Sequence, residues 1–583
     1  MRRKAVACAW VAGPNVGRGD YGAVQTDTAG LADPSRPGTD DDDSEAGRNK
    51  VARGIARGAL IIAVLTAFSR VLGLVRTVVF AKTVGAGCLG TAYVTANQVP
   101  NLIVELAIGG ALSSAMVPVL ARSAKRAATD PSAKAHVEQT SSALLTWSIV
   151  ILLPATVAIA ALAGPISQAL NPVNPNADCS HSDMINATRF MLVTFAPQVM
   201  LYGFSVVLYG VLQAYRRFTA ISLAPVIGNV VTITSFLVFD SLDHHAPLAN
   251  TPLTAMLVLS IGTTMNIAML VLISLPATWR LHLRWRLTLK FPAGVVRRAS
   301  GLALVGVLEF VAADIYSVIT IDLANGHGNT GALVLVNYGN LVFTAICSVL
   351  PIAIVTSTFP VLSATDGDAF DRTSAGSNRA VMLMALLSTA MMVAVAVPAA
   401  HVLTQKQDQI APLTESFLLF APGVAGFAIV TNLSRVLFAL GKLRLAAFGL
   451  VAQQLLPAAL SVPMVLLVSP RLVVGALALA SSIGQLATAV PMVLLTRRLR
   501  GPAAFAGLGH ATLAGLAAAA AGAAAGLAVT LVIPRGGTVF EGCVGVLSIV
   551  IAVVGFGAVA FALDKGDVRA AAGRLRRFAR NRT

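Results

Sequence analysis

The chain has 583 residues, of which 56% are hydrophobic and only 12% are charged, and its mean hydropathy is +0.77. No soluble domain of this size has such a composition, so the sequence predicts an all-α polytopic membrane protein. The net charge of +17 does not indicate a nucleic-acid partner, because a basic patch for that purpose needs a folded soluble face that this composition does not supply.

Residues 1–54 are predicted to be a disordered cytoplasmic tail. They begin with a basic and apolar stretch that imitates a signal peptide, but its apolar run is too short and the polar stretch "PSRPGTDDDDSEAG" follows.

Fourteen apolar runs follow that are long enough to cross about 30 Å of hydrocarbon. The predicted helices lie at 56–82, 90–120, 141–170, 185–214, 219–239, 252–275, 296–323, 331–361, 380–404, 413–440, 443–468, 472–497, 507–533 and 538–563. "VPVLARS" near the end of the second helix echoes "FPVLSAT" in the eighth, and "VLQAYRRF" echoes "VLFALGKL". These echoes indicate two parallel six-helix repeats around a central cavity, an arrangement typical of transporters.

The repeats predict five segments of the chain. They are the tail at 1–54, an N-terminal lobe with helices 1–6 at 55–275, a C-terminal lobe with helices 7–12 at 276–500, helices 13 and 14 at 501–564, and a basic cytoplasmic tail at 565–583.

Lysine and arginine positions predict the orientation of the helices, because cationic short loops stay in the cytoplasm. With the N-terminus inside, 30 of these cations lie in cytoplasmic segments, against four outside. The four are Arg189, Lys406, Arg471 and Arg535. We therefore expect a multi-pass plasma-membrane protein with both termini in the cytoplasm.

No catalytic motif stands out. There is no P-loop, HExxH, Ser/His/Asp arrangement or carboxylate pair, so we expect neither an enzyme nor a cofactor. The five cysteines form no CxxC motif and have no histidines at metal-ligand spacing, so neither a metal site nor a disulfide framework is expected.

The first helix carries cations in "SRVLGLVRTVVFAKTVG", Ser69 to Gly85. Arg70 is predicted near mid-membrane and Arg76 about 9 Å further along the helix axis. A central cation costs about 2.5–3.5 kcal/mol to insert. The arginines either snorkel or pair with buried carboxylates, or they line a watery cavity and bind an anion. The second interpretation is favoured, because a guanidinium binds phosphate with two parallel hydrogen bonds.

The second helix contains the buried acid Glu105 in "NQVPNLIVELAIGGALSSAMVP". Glu105 is either a salt-bridge partner of Arg70 or Arg76, or a cavity residue. Pro100 frees a backbone carbonyl in mid-membrane, which is tolerated where that carbonyl faces protein or water.

"SRVLGLVRT", "ANQVPNLIVELAIGGALSSAMVPVL" and "GVLQAYRRFTAISLAPVIGNVV" together resemble the MurJ/MviN family of lipid II flippases, in its high-GC Gram-positive branch. The resemblance covers about residues 55–500. It implies the fold of the multidrug/oligosaccharidyl-lipid/polysaccharide exporter superfamily, with two six-helix lobes in a V and helices 13 and 14 lining a groove for the lipid tail.

The resemblance also implies the substrate site. Arg70, Arg76, Ser69 and Gly73 match the first-helix motif of the family, and Gln98 stands where the family usually has an arginine. The candidate substrate-binding set is completed by Asn97, Gln98, Asn101 and Glu105.

The seventh helix holds the candidate ion-coupling acids, Asp314 and Glu309. Asp314 lies close to the position where the family can contribute an acid to a coupling-cation site. Its alternative role is to pair with Arg70 or Arg76 across the lobes. Neutral co-ligands are expected from Gln453 and Gln454.

The resemblance implies a flippase that moves undecaprenyl-diphosphate-linked disaccharide pentapeptide between leaflets by alternating access. Its partners are then lipid II and membrane lipids, with cell-wall synthases as further candidates and no nucleic acid. The alternatives are a related lipid-linked oligosaccharide or drug exporter, and a non-transporting scaffold for cell-wall synthases.

Overall fold

The computed structural model of the chain describes residues 64–105, 126, 130–243, 246–290, 295–404 and 406–566. For residues 295–303 it describes the backbone only. All of the described residues belong to one compact unit, Ala56–Thr583. The predicted tail at 1–54 and all but two residues of the tail at 565–583 lie outside the described residues, as does the second half of the predicted second helix, 106–120.

The described residues form helices joined by short connections. The first half of the chain contains α1 (Val64–Thr83), α2 (Cys88–Val104), α3 (Pro131–Ala161), α4 (Ala163–Leu170), α5 (His181–Phe195), α6 (Pro197–Ala214), α7 (Phe218–Asp243) and α8 (Leu253–Trp279). The second half contains α9 (Val295–His327), α10 (Ala332–Val349), α11 (Pro351–Ser363), α12 (Gly367–Leu403), α13 (Gln407–Phe420), α14 (Gly423–Ala439), α15 (Leu443–Leu466), α16 (Val473–Arg500), α17 (Leu508–Val532) and α18 (Thr538–Leu563).

Thirteen spans of the described residues are long and apolar enough to cross a membrane. The helix α2, which ends beside the undescribed segment 106–125, is a further apolar helix of 17 residues. In lipid every backbone N–H and C=O must be paired within the segment, and helices achieve this. The predicted all-α membrane fold is therefore confirmed.

Two predicted single helices are broken at the same motif in the two halves. The segment Phe195-Ala196-Pro197 separates α5 from α6, and Phe420-Ala421-Pro422 separates α13 from α14. A proline cannot donate its backbone nitrogen to the preceding turn, so the helix ends before it. The repeated break supports the parallel relation of the two six-helix lobes.

Some helix boundaries differ from the predicted ones because hydropathy detects only the part of a helix that faces lipid. The helix α12 begins at Gly367 and α3 at Pro131, each about ten residues before the predicted span, within polar sequence. At α3, the Asp130 side chain accepts a hydrogen bond from the Ser132 N–H and caps the helix.

The helices α17 and α18 pack against each other and against α12. Small residues bring the backbones close: a Cβ on Gly522 would lie 2.7 Å from the Ala552 carbonyl oxygen, and one on Gly526 would overlap the Ala394 Cβ. This is the small-residue packing common between membrane helices. The pair is thus attached to the second half.

A disulfide joins Cys88, at the start of α2, to Cys179, just before α5. The expectation that no cysteines pair was wrong. The two residues are 91 positions apart, so their meeting depends on how α2 packs against α5 and α4 packs against α5, which spacing alone does not reveal.

Candidate functional site: a cavity between the two halves

A cavity of about 310 Å³ lies between the first half and the start of the second. Its walls come from α1, α2, α6, α7, α8 and α10. Polar and aromatic side chains dominate the lining, among them Arg76, Thr77, Phe80, Tyr93, Asn97, Gln98, Asn101, Tyr202, Thr232, Phe236, Asn266, Asn337 and Tyr338.

Arg76 is the cation of this cavity. Its side chain is half-buried, and among the described residues no carboxylate lies within 4.0 Å of it. The alternative in which Arg76 is neutralised by Glu105 or Asp314 in an ion pair is therefore not what the described residues show. A guanidinium without a carboxylate partner in a polar cavity can bind an anion.

An aromatic cluster supports one wall. The Tyr93 ring packs against Phe80, Phe195 and Phe236, with ring centroids 5.1, 5.6 and 6.2 Å away. The Tyr93 hydroxyl shares a hydrogen bond of 2.9 Å with the Thr263 hydroxyl. This packing fixes the face of α2 that carries the amide side chains.

The amides of α2 surround the Pro100 turn. Pro100 has no N–H to donate to the Ala96 carbonyl oxygen four residues earlier. At the next position, the Asn101 side-chain amide donates to the Asn97 carbonyl oxygen at 3.0 Å. The Gln98 amide donates to the Asn337 side-chain oxygen at 3.1 Å, which joins the two halves inside the cavity. Sequence reasoning missed Asn337, which had no charge or motif to mark it.

The remaining first-helix candidates are placed differently. Arg70 is exposed and does not line the cavity. The Ser69 carbonyl oxygen accepts from the Asn229 amide at 3.4 Å, and a Cβ on Gly73 would have no neighbour within 4 Å. Ser69, Gly73 and Arg76 share a helix face, whereas Arg70 is rotated by about 100° from it. The structure thus does not bring the two arginines to one wall.

The candidate ion-coupling residues lie on neighbouring helices of the second half. Asp314 and Glu309 are half-buried on α9, and one Asp314 carboxylate oxygen is buried with no hydrogen-bond partner. Asp314 lies within electrostatic range of Glu105, the last described residue of the α2 segment. Glu309 lies within range of Arg435, which stacks on Phe359.

The two glutamines lie on α15, which packs along α9. Gln453 is buried, and its main-chain carbonyl oxygen accepts a hydrogen bond of 3.3 Å from the Gln485 side-chain amide. The side-chain amide nitrogen of Gln453 has no partner among the described residues. Gln454 is half-buried. No group of three His, Cys, Asp or Glu residues in the described part of the chain could hold a metal ion. A coupling cation would therefore have to use few carboxylates and neutral oxygens.

The halves are joined at one end of the cavity by hydrogen bonds that we call the interhalf seal. The Asn174 amide donates to the carbonyl oxygens of Asn325 and Gly328 at 2.7 and 2.8 Å, and the Asn325 amide donates to the Thr95 hydroxyl at 3.0 Å. The outlying bonds of the seal are Asp178 N–H to Thr330 Oγ1, Gln409 to the Ala86 carbonyl, and Lys82 to the Thr404 carbonyl.

All of these residues lie at the α1 C-terminal end. The Asn325 amide also donates to the Leu170 carbonyl oxygen of the first half at 2.9 Å, and the Gln98–Asn337 bond joins the halves inside the cavity. The hydrogen bonds of the seal thus join the halves at this end of the cavity.

A family model described as "Lipid II flippase MurJ" matches residues 80–548. A lipid II flippase MurJ of Burkholderia cenocepacia is 31% identical over 185 residues, which cover 31% of this chain and 33% of that protein. A probable lipid II flippase MurJ of Haemophilus influenzae is 30% identical over 175 residues, covering 30% of this chain and 34% of that protein. These alignments span about a third of each relative.

Solved structures share the fold over more of the chain. A lipid II flippase MurJ in an inward closed conformation covers 86% of this chain and 99% of its own length, with a TM-score of 0.65 and 15% identity. An inward-facing multidrug resistance MATE family transporter covers 76% and 98%, with a TM-score of 0.56 and 13% identity. With most of the chain matched by the family model, the protein belongs to the family of lipid II flippases described as MurJ.

Proposed function

We propose that this protein moves lipid II, an undecaprenyl-diphosphate-linked disaccharide pentapeptide, from the inner to the outer leaflet by alternating access. The observation that carries the proposal is the cavity between the halves, which presents Arg76 without a carboxylate partner and is closed at one end by the interhalf seal. The named activity of the relatives supports the same substrate, and no part of the mechanism calls for a catalytic step or a cofactor.

The orientation proposed is both termini in the cytoplasm of the plasma membrane. The Cys88–Cys179 disulfide lies at the end of the molecule opposite the cation-rich segments around Arg217, Arg280 and Arg500. Disulfides persist in oxidising compartments, and cationic loops stay inside, so both features support an orientation with the interhalf seal outside. The cavity then opens toward the cytoplasm, the side from which lipid II is loaded.

We propose the following roles for the residues that line the cavity. Arg76 binds a phosphate of the diphosphate with its guanidinium, and Asn97, Gln98 and Asn101 solvate the adjoining sugar with their amides. A volume of about 310 Å³ is at the small end for ligand pockets, so it has room for the diphosphate and neighbouring groups. The isoprenoid stays in lipid between the lobes.

The lobes are assigned as predicted, with one adjustment. Residues 283–290 are extended and lie along α3, so we move the end of the N-terminal lobe from 275 to about 290. The C-terminal lobe ends near 500, and α17 and α18 line the groove proposed for the lipid tail.

Energy coupling is assigned to two acids, one from each half, that lie within electrostatic range of each other. Glu105 and Asp314 lie within electrostatic range, and two carboxylates at this depth repel unless a proton or a cation lies between them. Separation of the halves would release that ion. The exchange of an ion at Asp314 is thus tied to the opening and closing of the lobes, with Glu309, Gln453 and Gln454 as neighbours that complete its surroundings.

A drug exporter is the weaker alternative, because a cavity for cationic drugs needs an acid where this one has Arg76. A scaffold that recruits cell-wall synthases without transport is distinguished by experiment. In cells that depend on this protein, we expect Arg76→Ala to abolish the outer-leaflet exposure of lipid II, and Arg76→Lys to restore only part of it because the planar guanidinium is lost.

The control is Arg189→Ala, which removes the same charge from an exposed position on α5. Membrane levels of all variants are measured in parallel. Normal lipid II exposure in the Arg76→Ala strain would exclude the anion site, and normal growth without exposure would favour the scaffold.

A further inference from the structure

A second cavity, of about 390 Å³, lies between the cytoplasmic ends of α7 and α8, far from the interhalf cavity. Two arginines, Arg217 and Arg280, stand at its rim, and its walls include Leu223 and Ile273. We call it the α7–α8 groove. The combination of paired cations with an apolar floor is what an amphiphilic anion requires.

The groove faces away from the transport route. Leu223 is nine residues from Thr232, which lines the interhalf cavity, and Pro276 is nine residues from Ile267, which does so as well. Nine residues correspond to about two and a half turns and about 13.5 Å along the axis, so the groove lies on the opposite face of α7 and nearer the ends of both helices than the interhalf cavity. A ligand in the groove would therefore contact the surrounding lipid and not the substrate.

Tight turns fix the positions of both arginines. Arg217 follows Arg216, whose φ of 56° is left-handed and ends α6, and its N–H donates to the Leu212 carbonyl at 2.8 Å. Arg280 caps the C-terminus of α8 and donates its N–H to the Pro276 carbonyl at 3.2 Å. Neither guanidinium has a carboxylate within 4.0 Å among the described residues. Their charge is thus available to a ligand.

The surface around the groove places it at the membrane interface. Trp279, beside Arg280, is 64% exposed. Leu272, about two helical turns deeper along α8, is 52% exposed. Tryptophan prefers the headgroup level, and exposed leucine prefers the hydrocarbon. The arginines are then level with lipid phosphates, while Leu223 and Ile273 are level with the first methylenes of the acyl chains.

We propose that the α7–α8 groove binds an anionic phospholipid of the inner leaflet, with Arg217 and Arg280 on its phosphate and the acyl chains along Leu223 and Ile273. Basic pockets between membrane helices on the cytoplasmic side suit anionic headgroups. The first turn of α7, whose N–H groups have no acceptors within the helix, adds to the attraction for the phosphate. The site is independent of lipid II transport.

The test is native mass spectrometry of the full chain in detergent, titrated with dioleoylphosphatidylglycerol or dioleoylphosphatidylcholine. We expect the anionic lipid to bind about tenfold more tightly or better, and Arg217→Gln/Arg280→Gln to remove that preference, as the loss of charge-assisted hydrogen bonds implies. The matched control is Arg216→Gln, which removes a neighbouring charge that does not line the groove.

Three results would overturn the proposal. They are equal binding of the two lipids by the unmodified chain, an equal loss of preference in Arg216→Gln, which would mean diffuse attraction, and displacement of the lipid by millimolar glycerol 3-phosphate, which would mean a site for a soluble phosphate. Because binding is measured without transport, failure here leaves the flippase proposal untouched, and failure of the Arg76 experiment leaves this one untouched.

Discussion

Single residues in α1 show how far sequence reasoning reaches. The cost of a cation in lipid left Arg76 to snorkel, to pair with a carboxylate or to face a watery cavity, and in the structure Arg76 lines a cavity. The same argument applied to Arg70, but six residues turn a helix by about 240°, so the two side chains point to different sides. The free-energy cost of inserting a charged side chain into lipid indicates that the residue needs a polar neighbour. The direction in which the side chain leaves the helix, and the packing around it, decide which neighbour that is.

At Asp314 the residue-scale prediction concerns coupling. Asp314→Asn removes the charge that a coupling ion would neutralise, so we expect normal expression and lipid II binding but a loss of turnover of at least about tenfold, with the lobes held in one state. Turnover is measured as the outer-leaflet appearance of lipid II, and the state by thiol accessibility of the cavity.

Asp322→Asn is the matched control for this prediction, because Asp322 is exposed on the same helix. If Asp314→Asn flips lipid II normally, coupling lies elsewhere and Glu309 is the next residue to change. If the variant misfolds while Asp322→Asn does not, Asp314 has a structural role.

Hydropathy did not predict the extended segment 283–290, which lies along α3. The main-chain N–H groups of Arg284, Arg286 and Thr288 donate to side chains one helical turn apart, Glu138, Ser142 and Thr146, each at 3.1 Å. Four residues of helix advance about 6.0 Å and two of an extended chain about 6.6 Å, so three pairs stay in register.

The alternation in "LHLRWRLTLK" is that of an amphipathic strand. Leu281, Leu283 and Trp285 pack toward Val137 and Leu144 of α3. What the sequence could not show is that a helix, and not another strand, supplies the acceptors.

At the element scale we predict that Ser142→Ala/Thr146→Val loosens this segment. Two main-chain N–H groups lose their acceptors, so hydrogen exchange of the Arg286 and Thr288 amides should accelerate by about tenfold, corresponding to about 1–2 kcal/mol. Thr156→Val is the control on the same helix, since its hydroxyl bonds only the Leu152 carbonyl of its own helix. Unchanged exchange at Arg286 would show that side-chain packing alone holds the segment.

At the scale of the whole molecule, the order of the membrane helices was predictable because it rests on local hydropathy. The contacts between the halves were not. The interhalf seal consists mainly of neutral side chains donating to main-chain carbonyl oxygens, and Asn174, Asn325 and Gln409 carry no motif that distinguishes them from other polar residues. The Cys88–Cys179 bond holds the loop with Asn174 beside α2, and its pairing likewise depends on the assembled fold.

The last prediction concerns the opening of this seal. The Asn174 amide makes two hydrogen bonds to main-chain carbonyls of the other half, so Asn174→Ala should weaken the closed outer end by about 1–3 kcal/mol, a factor of about 5–150 in the equilibrium between states. The probe is Val94→Cys in the cavity wall, in a background with Cys8 and Cys543 replaced by serine. An impermeant thiol reagent added outside intact cells should leave this probe unmodified when Asn174 is present and modify it in Asn174→Ala.

The neighbouring variant Asn176→Ala keeps the main-chain N–H that bonds the Asn174 side chain, so it should behave as the unmodified chain. Rapid modification of Val94→Cys with Asn174 intact would place the open end of the cavity outside and reverse the orientation. Equal protection in all three chains would mean that the disulfide and the remaining bonds of the seal hold the lobes together without Asn174. Protection lost only in Asn174→Ala would identify a neutral amide as the residue that sets the balance between the two access states, since no charge at the seal would have changed.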